Sequence, residues 1–153
     1  MKDKANISQD IKIRIAALDD YRAIAKIQRE DGFKHAYLLT EERFKRLLGR
    51  GELFLIAHMG DNAVGIISID IEFRAKIHFL SVMKSYQKRG IGSTLLKEAF
   101  KEIKDKGVEV VYVYVETSSP AEQFLLQSGF DKVGVYQNRY GEGKNANILE
   151  LRI

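Results

Sequence analysis

Residues 75–115 read AKIHFLSVMKSYQKRGIGSTLLKEAFKEIKDKGVEVVYVYV. The stretch opens with strand-like residues over 75–82 and closes with residues 108–115, which are apolar at nearly every position. Between them, apolar residues recur at helical spacing, at Leu95, Leu96, Ala99 and Ile103. A run without a polar face is typical of a strand that is covered on both sides. The order strand, helix, buried strand therefore predicts a βαβ unit with parallel strands and a right-handed crossover.

The segments before this unit predict further strands and two helices. Alternating isoleucines over 11–15 indicate a first strand, and helical periodicity predicts a helix over 20–30. Thr40 is a good N-cap for a second helix that ends at Gly49. A strand over 53–57 is followed by a turn and a long strand. We expect one apolar face of that long strand to carry Ile67, Ile69, Ile71 and Phe73.

The segments after the βαβ unit predict one short helix and a closing strand pair. Pro120 suits the first turn of a helix over 119–128. Residues 130–136 and 147–152 are predicted to form an antiparallel pair.

Composition limits the class of protein. The chain has 153 residues, of which 45% are hydrophobic and 30% are charged, so a largely disordered chain is excluded. We expect a polar, flexible tail over 1–9 and a single domain over 10–153. The absence of cysteine excludes disulfides, cysteine-based zinc sites and thiol nucleophiles. Apolar runs are far shorter than the roughly 20 residues of a membrane span, and no secretory signal is visible, so we expect a soluble cytoplasmic protein without membrane contact.

The segment Gln87–Thr94 (QKRGIGST) carries the most informative chemistry. Gly90 and Gly92 allow a sharp turn, and successive N–H groups at a helix start can converge on an anion. Lys88 and Arg89 add positive charge, so the segment predicts a diphosphate site, although a tight strand-to-helix turn alone would also explain the glycines. A dinucleotide fingerprint does not fit because its third glycine would fall at Leu95, and a P-loop does not fit because no lysine follows Gly92.

This segment resembles the acetyl-CoA-binding motif of the GNAT superfamily of N-acyltransferases. The matching residues are Gln87-x-x-Gly90-x-Gly92, preceded by a strand that ends in Leu80-Ser81-Val82. The order of elements from about Ile11 to Ile153 is also similar to that of the family, and the block Ala121–Phe130 resembles its fourth helix. The resemblance implies an α/β (α+β) fold. Its sheet is mixed and mostly antiparallel, with about seven strands, a central parallel β4–β5 pair and helices on both faces.

The resemblance also implies an acyl donor, acetyl-CoA, and the residues that hold it. Main-chain groups of the strand end would pair with the pantetheine arm, and the glycine turn would hold the pyrophosphate. Ser118 stands where many members have an asparagine that contacts pantetheine. The implied cofactor-binding residues are Leu80, Ser81, Val82, Gln87, Lys88, Arg89, Gly90, Ile91, Gly92, Ser93 and Ser118.

Within this superfamily, the chain resembles the ribosomal-protein alanine N-acetyltransferases most. Their proton-donating tyrosine, counted from the Gly-Phe pair, corresponds to Tyr140. Their glutamate base falls at Val113, and the nearest carboxylate is Glu116, which would serve as the base or only cap the next helix. Leu125 stands where many members carry a tyrosine that acts as the general acid.

The resemblance implies direct attack of an amine on the thioester within a ternary complex. The acceptor stays open: a peptide or protein N-terminus, a lysine, a polyamine or another small amine. Because Leu125 and Val113 replace expected proton carriers, a non-catalytic CoA-binding or sensor domain is a second hypothesis. A net charge of +4 raises a third, a nucleic-acid-binding module, but acidic residues interrupt the basic stretch over 84–106. The sequence leaves the oligomeric state open, a homodimer included.

Five further side chains have two interpretations each. Asp70 and Glu72 share a strand face that lines the acceptor cleft or simply faces solvent. His78 lies near the thioester or is an ordinary packed histidine. Tyr112 and Tyr114 share one strand face and are predicted to be core rather than catalytic residues. No three candidate ligands have metal spacing, so we predict no metal.

Overall fold

The described residues of this computed structural model are 10–32 and 38–153. The tail predicted over 1–9 lies outside them, so the boundary between that tail and the domain over 10–153 remains a prediction. The strands are β1 (Ile11–Ile15), β2 (Leu53–Met59), β3 (Asn62–Ile71), β4 (Ala75–Val82), β5 (Val110–Glu116), β6 (Asp131–Tyr136) and β7 (Ala146–Arg152). The helices are α1 (Tyr21–Arg29), α2 (Glu41–Gly49), α3 (Ile91–Asp105) and α4 (Pro120–Gln127). Short 3-10 turns lie at Leu18–Asp20 and Lys84–Tyr86.

All seven strands form one sheet, in the order β1-β2-β3-β4-β5-β7-β6. Among the strands of the described residues, only β4 and β5 pair in parallel, and every other neighbouring pair is antiparallel. The predicted βαβ unit is confirmed, with α3 as its crossover helix. The predicted closing pair is also confirmed, and β7 inserts between β5 and β6.

The core lies on both faces of the central strands. Six consecutive residues of β3, Val64–Ile69, are buried, which requires cover on each side. On one side, the ring of Phe44 from α2 packs edge-on against Phe54 of β2 at 5.0 Å between centroids. On the other side, Ile91 and Leu95 of α3 approach so closely that a Cβ added at Gly65 would lie 2.9 Å from Ile91.

Two predictions about the packing of aromatic residues are wrong. Phe73 is 88% exposed because β3 ends at Ile71, and the turn that follows turns this side chain away from the sheet. Tyr112 and Tyr114 are only half-buried, whereas the valines that alternate with them are buried. These tyrosines lie on the open face of β5.

The parallel strands β4 and β5 part soon after they meet. Their register covers only Ala75–Ile77 against Val111–Val113. At the same point β4 contains a bulge: Ile77 pairs with Ile69 of β3 and Phe79 with Ser68, so His78 is the extra residue. The rest of β4 continues beside β3 alone. The sheet therefore opens between β4 and β5, immediately after His78.

Candidate active site

The opening leaves one edge of β4 without a neighbouring strand. Leu80, Ser81 and Val82 pair with β3, and in the described parts of the chain no strand pairs with their other edge. Ser81 is buried, and its Oγ has no hydrogen-bond partner among the described residues. An unpaired edge inside a fold is suited to an extended ligand with amide groups.

The turn after β4 is fixed to the end of that strand. The side-chain amide of Gln87 donates to the carbonyl of Val82 at 2.9 Å and to that of Asp31 at 2.8 Å. Lys88 has a φ of 64° and Gly90 a φ of 85°, so the chain reverses through two left-handed residues. The side chains of Lys88 and Arg89 are exposed. The turn therefore presents two cations beside the start of α3.

Helix α3 starts without a side-chain cap. Its N-cap is Gly90, whereas Thr40 and Ser119 accept hydrogen bonds at the starts of α2 and α4. The hydroxyl of Thr94 donates to the Gly90 carbonyl at 2.7 Å, so this side chain does not cap the N–H groups of the first turn. The N–H groups of the first turn, from Ile91 to Ser93, lie at the positive end of the helix dipole and are suited to an anion.

The two motif glycines are required for different reasons. At Gly90 the φ of 85° disfavours any side chain, although a Cβ would meet nothing within 4 Å. At Gly92 the φ is ordinary, but a Cβ would lie 3.2 Å from the ring of Phe124 on α4. Gly90 thus shapes the turn, and Gly92 lets α4 approach α3.

Two predicted residues lie at the end of β5. Glu116 is exposed and pairs with Ala146 of β7. Ser118 is exposed with a φ of 65°, and its N–H donates to Glu122 Oε1 at 3.0 Å. The cap of α4 is Ser119 rather than Glu116.

Tyr140 lies beside the opening. Its hydroxyl donates to the carbonyl oxygen of Tyr114 at 3.2 Å, one residue beyond the last β4–β5 pair. The guanidinium of Arg139 lies 5.5 Å from the Tyr140 ring centroid and 5.9 Å from that of Tyr114. The phenol is therefore held half-buried at the β5 side of the opening.

A cluster of ionisable groups lies on the β4 side. His78 Nε2 is 3.6 Å from Glu52 Oε1, and Glu52 is buried and accepts a hydrogen bond from Ser68. One carboxylate oxygen of Glu52, one carboxylate oxygen of Asp70 and one ring nitrogen of His78 all lie within 4.8 Å of one another. Burial lowers the pKa of His78 below its ordinary value, and burial also lowers the pKa of Lys76. Sequence reasoning missed the pairing of Glu52 with His78, because the two residues lie far apart in the chain.

An open pocket of about 350 Å³ adjoins this cluster. Three carboxylates and one guanidinium contribute to its lining, which consists of Arg50, Gly51, Glu52, Asp70, Ile71 and Glu72. Asp70 and Glu72 therefore line a pocket. The sequence allowed two interpretations of their strand face, an acceptor cleft or a surface that faces solvent.

A sheet that opens beside an uncapped helix start, with a phenol at the opening, fits a CoA-dependent acyltransferase. The chain belongs to the acetyltransferase (GNAT) domain family, which matches residues 18–143. As a member, it is an N-acetyltransferase whose acyl donor is acetyl-CoA.

Characterised relatives agree with this family. The chain is 28% identical to an N-alpha-acetyltransferase of Saccharolobus solfataricus, with 97% of this chain and 95% of the relative covered. It is also 28% identical to the ribosomal protein bS18-alanine N-acetyltransferase of Escherichia coli K12, over 69% of this chain and 73% of the relative.

The fold is likewise that of solved acetyltransferases. The PaiA N-acetyltransferase of Thermoplasma acidophilum, solved in complex with coenzyme A, superimposes with a TM-score of 0.80 and 23% identity. The match covers 94% of this chain and 99% of that protein. The predicted mixed sheet with a central parallel pair is confirmed. None of the helices in the described parts of the chain combines the length and apolar character that crossing a bilayer requires.

Proposed function

We propose that this N-acetyltransferase acetylates the α-amine at the N-terminus of a peptide or protein. Relatives named for that chemistry match nearly the full length of the chain. The pKa of an α-amine is about 8, whereas that of a lysine amine is about 10.4. The α-amine is therefore more easily made neutral for attack at physiological pH.

The proposed place for acetyl-CoA is the opening and the turn beside it. The main chain of Leu80, Ser81 and Val82 would pair with the amides of the pantetheine arm. The diphosphate would bind at the turn and the first N–H groups of α3, through Gln87, Lys88, Arg89, Gly90, Ile91, Gly92 and Ser93. Ser118, beyond the end of β5, would contact the pantetheine arm. The exposed cations and the uncapped helix start support this placement.

The proposed reaction is direct transfer with Tyr140 as proton donor. The amine nitrogen attacks the thioester carbonyl carbon, the C–N bond forms, and the C–S bond breaks. The departing sulfur takes the Tyr140 proton, since a phenol can protonate a thiolate. The position of the Tyr140 hydroxyl, one residue past the last β4–β5 pair, is the observation that carries this assignment.

Glu116 is the proton acceptor that the sequence suggests, and this role stays a prediction. The carboxylate is exposed and lies on the same strand as Tyr114. Glu116→Gln tests it: loss of turnover with unchanged acetyl-CoA affinity would support the role.

A small cationic amine is the second candidate acceptor. The observation in its favour is the pocket beside Glu52, Asp70 and Glu72, whose carboxylates suit an ammonium group.

A panel of acceptors distinguishes these functions. The protein and acetyl-CoA are incubated with three acceptors: a peptide with a free α-amine, the same peptide with a blocked α-amine and a free lysine, and a polyamine. Mass spectrometry then locates the acetyl group. Acetylation of the α-nitrogen alone supports the proposal, and preferential acetylation of the lysine or polyamine contradicts it. Tight acetyl-CoA binding without transfer to any acceptor would indicate a CoA-binding domain.

A further inference from the structure

His78 occupies a special position in β4. It is the bulged residue between the Ile77 and Phe79 pairs, and it directly follows the last β4–β5 pair. Taken as a whole, His78 is exposed, but its side chain is only 27% exposed. Much of the exposure therefore comes from its main chain, at the point where the strands part. A bulge redirects a side chain and is frequent beside active sites.

A buried carboxylate lies beside the His78 ring. Glu52, whose side chain is 5% exposed, brings Oε1 to 3.6 Å from His78 Nε2. Its other oxygen accepts a hydrogen bond from Ser68, which is fully buried on β3. A carboxylate that is fixed in this way stabilises a proton on the imidazole.

Charged groups from each neighbouring element act on His78. Glu52 and Asp70 favour its protonated form, while Lys76 and Arg43 oppose it. Burial has the largest effect and holds the pKa of His78 below its ordinary value, so the ring is neutral and able to accept a proton near pH 7.

His78 and Tyr140 lie on the two sides of the opening. Lys76, next but one to His78, places Nζ 4.5 Å from the Tyr114 ring centroid. The carbonyl of Tyr114 in turn accepts the Tyr140 hydrogen bond. The acidic pocket adjoins the Glu52 side and provides an approach for an ammonium group.

We propose that His78, oriented by Glu52, accepts the proton that the acceptor ammonium loses before it attacks acetyl-CoA. This inference rests on the proposed acetylation of an amine. It supplies a proton acceptor on β4, directly after the last β4–β5 pair.

The protons balance as follows. The ammonium gives one proton to His78, and the neutral amine attacks the thioester carbon. The sulfur leaves with the Tyr140 proton, and the phenolate takes the second proton of the attacking nitrogen. His78 then releases its proton to water, so each turnover yields an acetylated amine, free CoA and one proton.

The test is the pH dependence of kcat for His78→Gln, with His58→Gln as the matched control. His58 lies on β2 and accepts a hydrogen bond from Arg14 at 3.2 Å. All assays contain EDTA, which removes free metal ions from the solution. We expect His78→Gln to lower kcat about 10²-fold near about pH 6.5. The loss of kcat should shrink to less than tenfold at about pH 9, where most of an α-amine is neutral. Its acetyl-CoA Kd should stay unchanged, and His58→Gln should match the parent protein.

Two further variants should shift the acidic limb of the kcat profile in opposite directions. The acidic limb is the pH range over which kcat falls as His78 becomes protonated. Removing the Glu52 charge with Glu52→Gln lowers the pKa of His78, so the limb should move to lower pH. Removing the Lys76 charge with Lys76→Met raises the pKa of His78, so the limb should move to higher pH. Gln retains an acceptor for the Ser68 hydroxyl, which preserves the local packing.

Failure of the inference is separable from failure of the proposed function. If the parent protein acetylates amines and His78→Gln keeps the parent profile, the role of His78 is overturned. A Glu116→Gln profile that loses the acidic limb would assign the role to Glu116 instead. If the parent binds acetyl-CoA but transfers nothing to any amine, the proposed function itself is wrong.

Discussion

At the scale of single residues, Tyr140 gives the most direct prediction. Tyr140→Phe removes the hydroxyl and keeps the ring that stacks with Arg139. We expect kcat to fall at least about 10²-fold, because the thiolate then leaves without its proton donor. Acetyl-CoA affinity, measured by calorimetry, should stay within about twofold, since the ring packing remains.

Tyr136→Phe is the matched control for this variant. Tyr136 is 48% exposed on β6, and its ring also faces Arg139 at 5.7 Å. Its kcat should equal that of the parent. Equal losses in both variants would mean that the hairpin aromatics act by packing rather than by proton transfer.

Gly90 gives a second residue-scale prediction. Gly90→Ala places a Cβ on a residue with φ of 85°, which costs about 1–2 kcal/mol of unfolding free energy. It should also weaken acetyl-CoA binding, because the strained turn moves the N–H groups at the start of α3. Urea unfolding and calorimetry measure the two effects.

Gly107→Ala separates stability from binding in this test. Gly107 follows the other end of α3 with φ of 79°, and its Cβ would also meet nothing within 4 Å. This variant should lose a similar unfolding free energy and keep the parent affinity. If both variants bind acetyl-CoA as the parent does, the turn is not the diphosphate site.

At the scale of elements, the ion pair between Arg14 and Asp20 links β1 to the start of α1. The guanidinium donates to both carboxylate oxygens at 2.8 Å, and this hydrogen bonding lowers the pKa of Asp20. A lowered pKa means that the stabilisation is present above the ordinary pKa of Asp and is lost as the pH falls through the folded-state value. The Arg14 side chain is 46% exposed, so we expect only about 0.5–1 kcal/mol.

Asp20→Asn tests this link by urea unfolding at two pH values. The variant should be less stable than the parent at about pH 7, and the difference should shrink as the pH falls below the ordinary Asp pKa of about 4. Asp19→Asn, an exposed neighbour in the same turn, should stay within about 0.5 kcal/mol of the parent at both. A difference for Asp20→Asn that persists at low pH would contradict the ionic origin.

The elements themselves were largely predictable from local patterns. Thr40 and Ser119 cap α2 and α4, Gly49 is the last residue of α2, and Gly129 follows α4. The apolar run over 110–115 forms the central strand that pairs in parallel with β4. The ends of β3 were not predictable, because Phe73 continues the alternation while the backbone already turns. The open face of β5 depends on which helices cover the sheet, and strand periodicity does not contain that information.

The site was predictable only in part, for the same physical reason. The turn at Gly90 is local, so its residue types and spacing reveal it. The pair of Glu52 and His78 forms through strand register and a bulge at Ser68/Ile69, and neither feature has a local signal. The reach of Tyr140 to the Tyr114 carbonyl likewise requires the fold.

At the scale of the whole molecule, the domain boundary is testable. β1 starts at Ile11 and pairs with β2 over its full length, so the sheet needs residues from Ile11 onward. A chain of residues 10–153 should unfold in one cooperative transition, with the Tm of the full chain within about 2 °C. Circular dichroism measures this, and a lower Tm would place residues 1–9 within the folded unit.

The whole molecule combines two halves around one opening. One half, β4 with the turn and α3, is proposed to bind the donor, and the other half, β5 with the β6–β7 hairpin, presents Tyr140. The bulge at His78 and the short β4–β5 register create the space between them. Catalysis by orientation needs both halves to hold the thioester in one place.

A crystal structure of the protein with acetyl-CoA tests the central claim most directly. The account predicts the diphosphate against the N–H groups of residues 88–93, the pantetheine along Leu80–Val82, and the sulfur near the Tyr140 hydroxyl. A diphosphate bound elsewhere, or a thioester that enters away from the opening between β4 and β5, would contradict it.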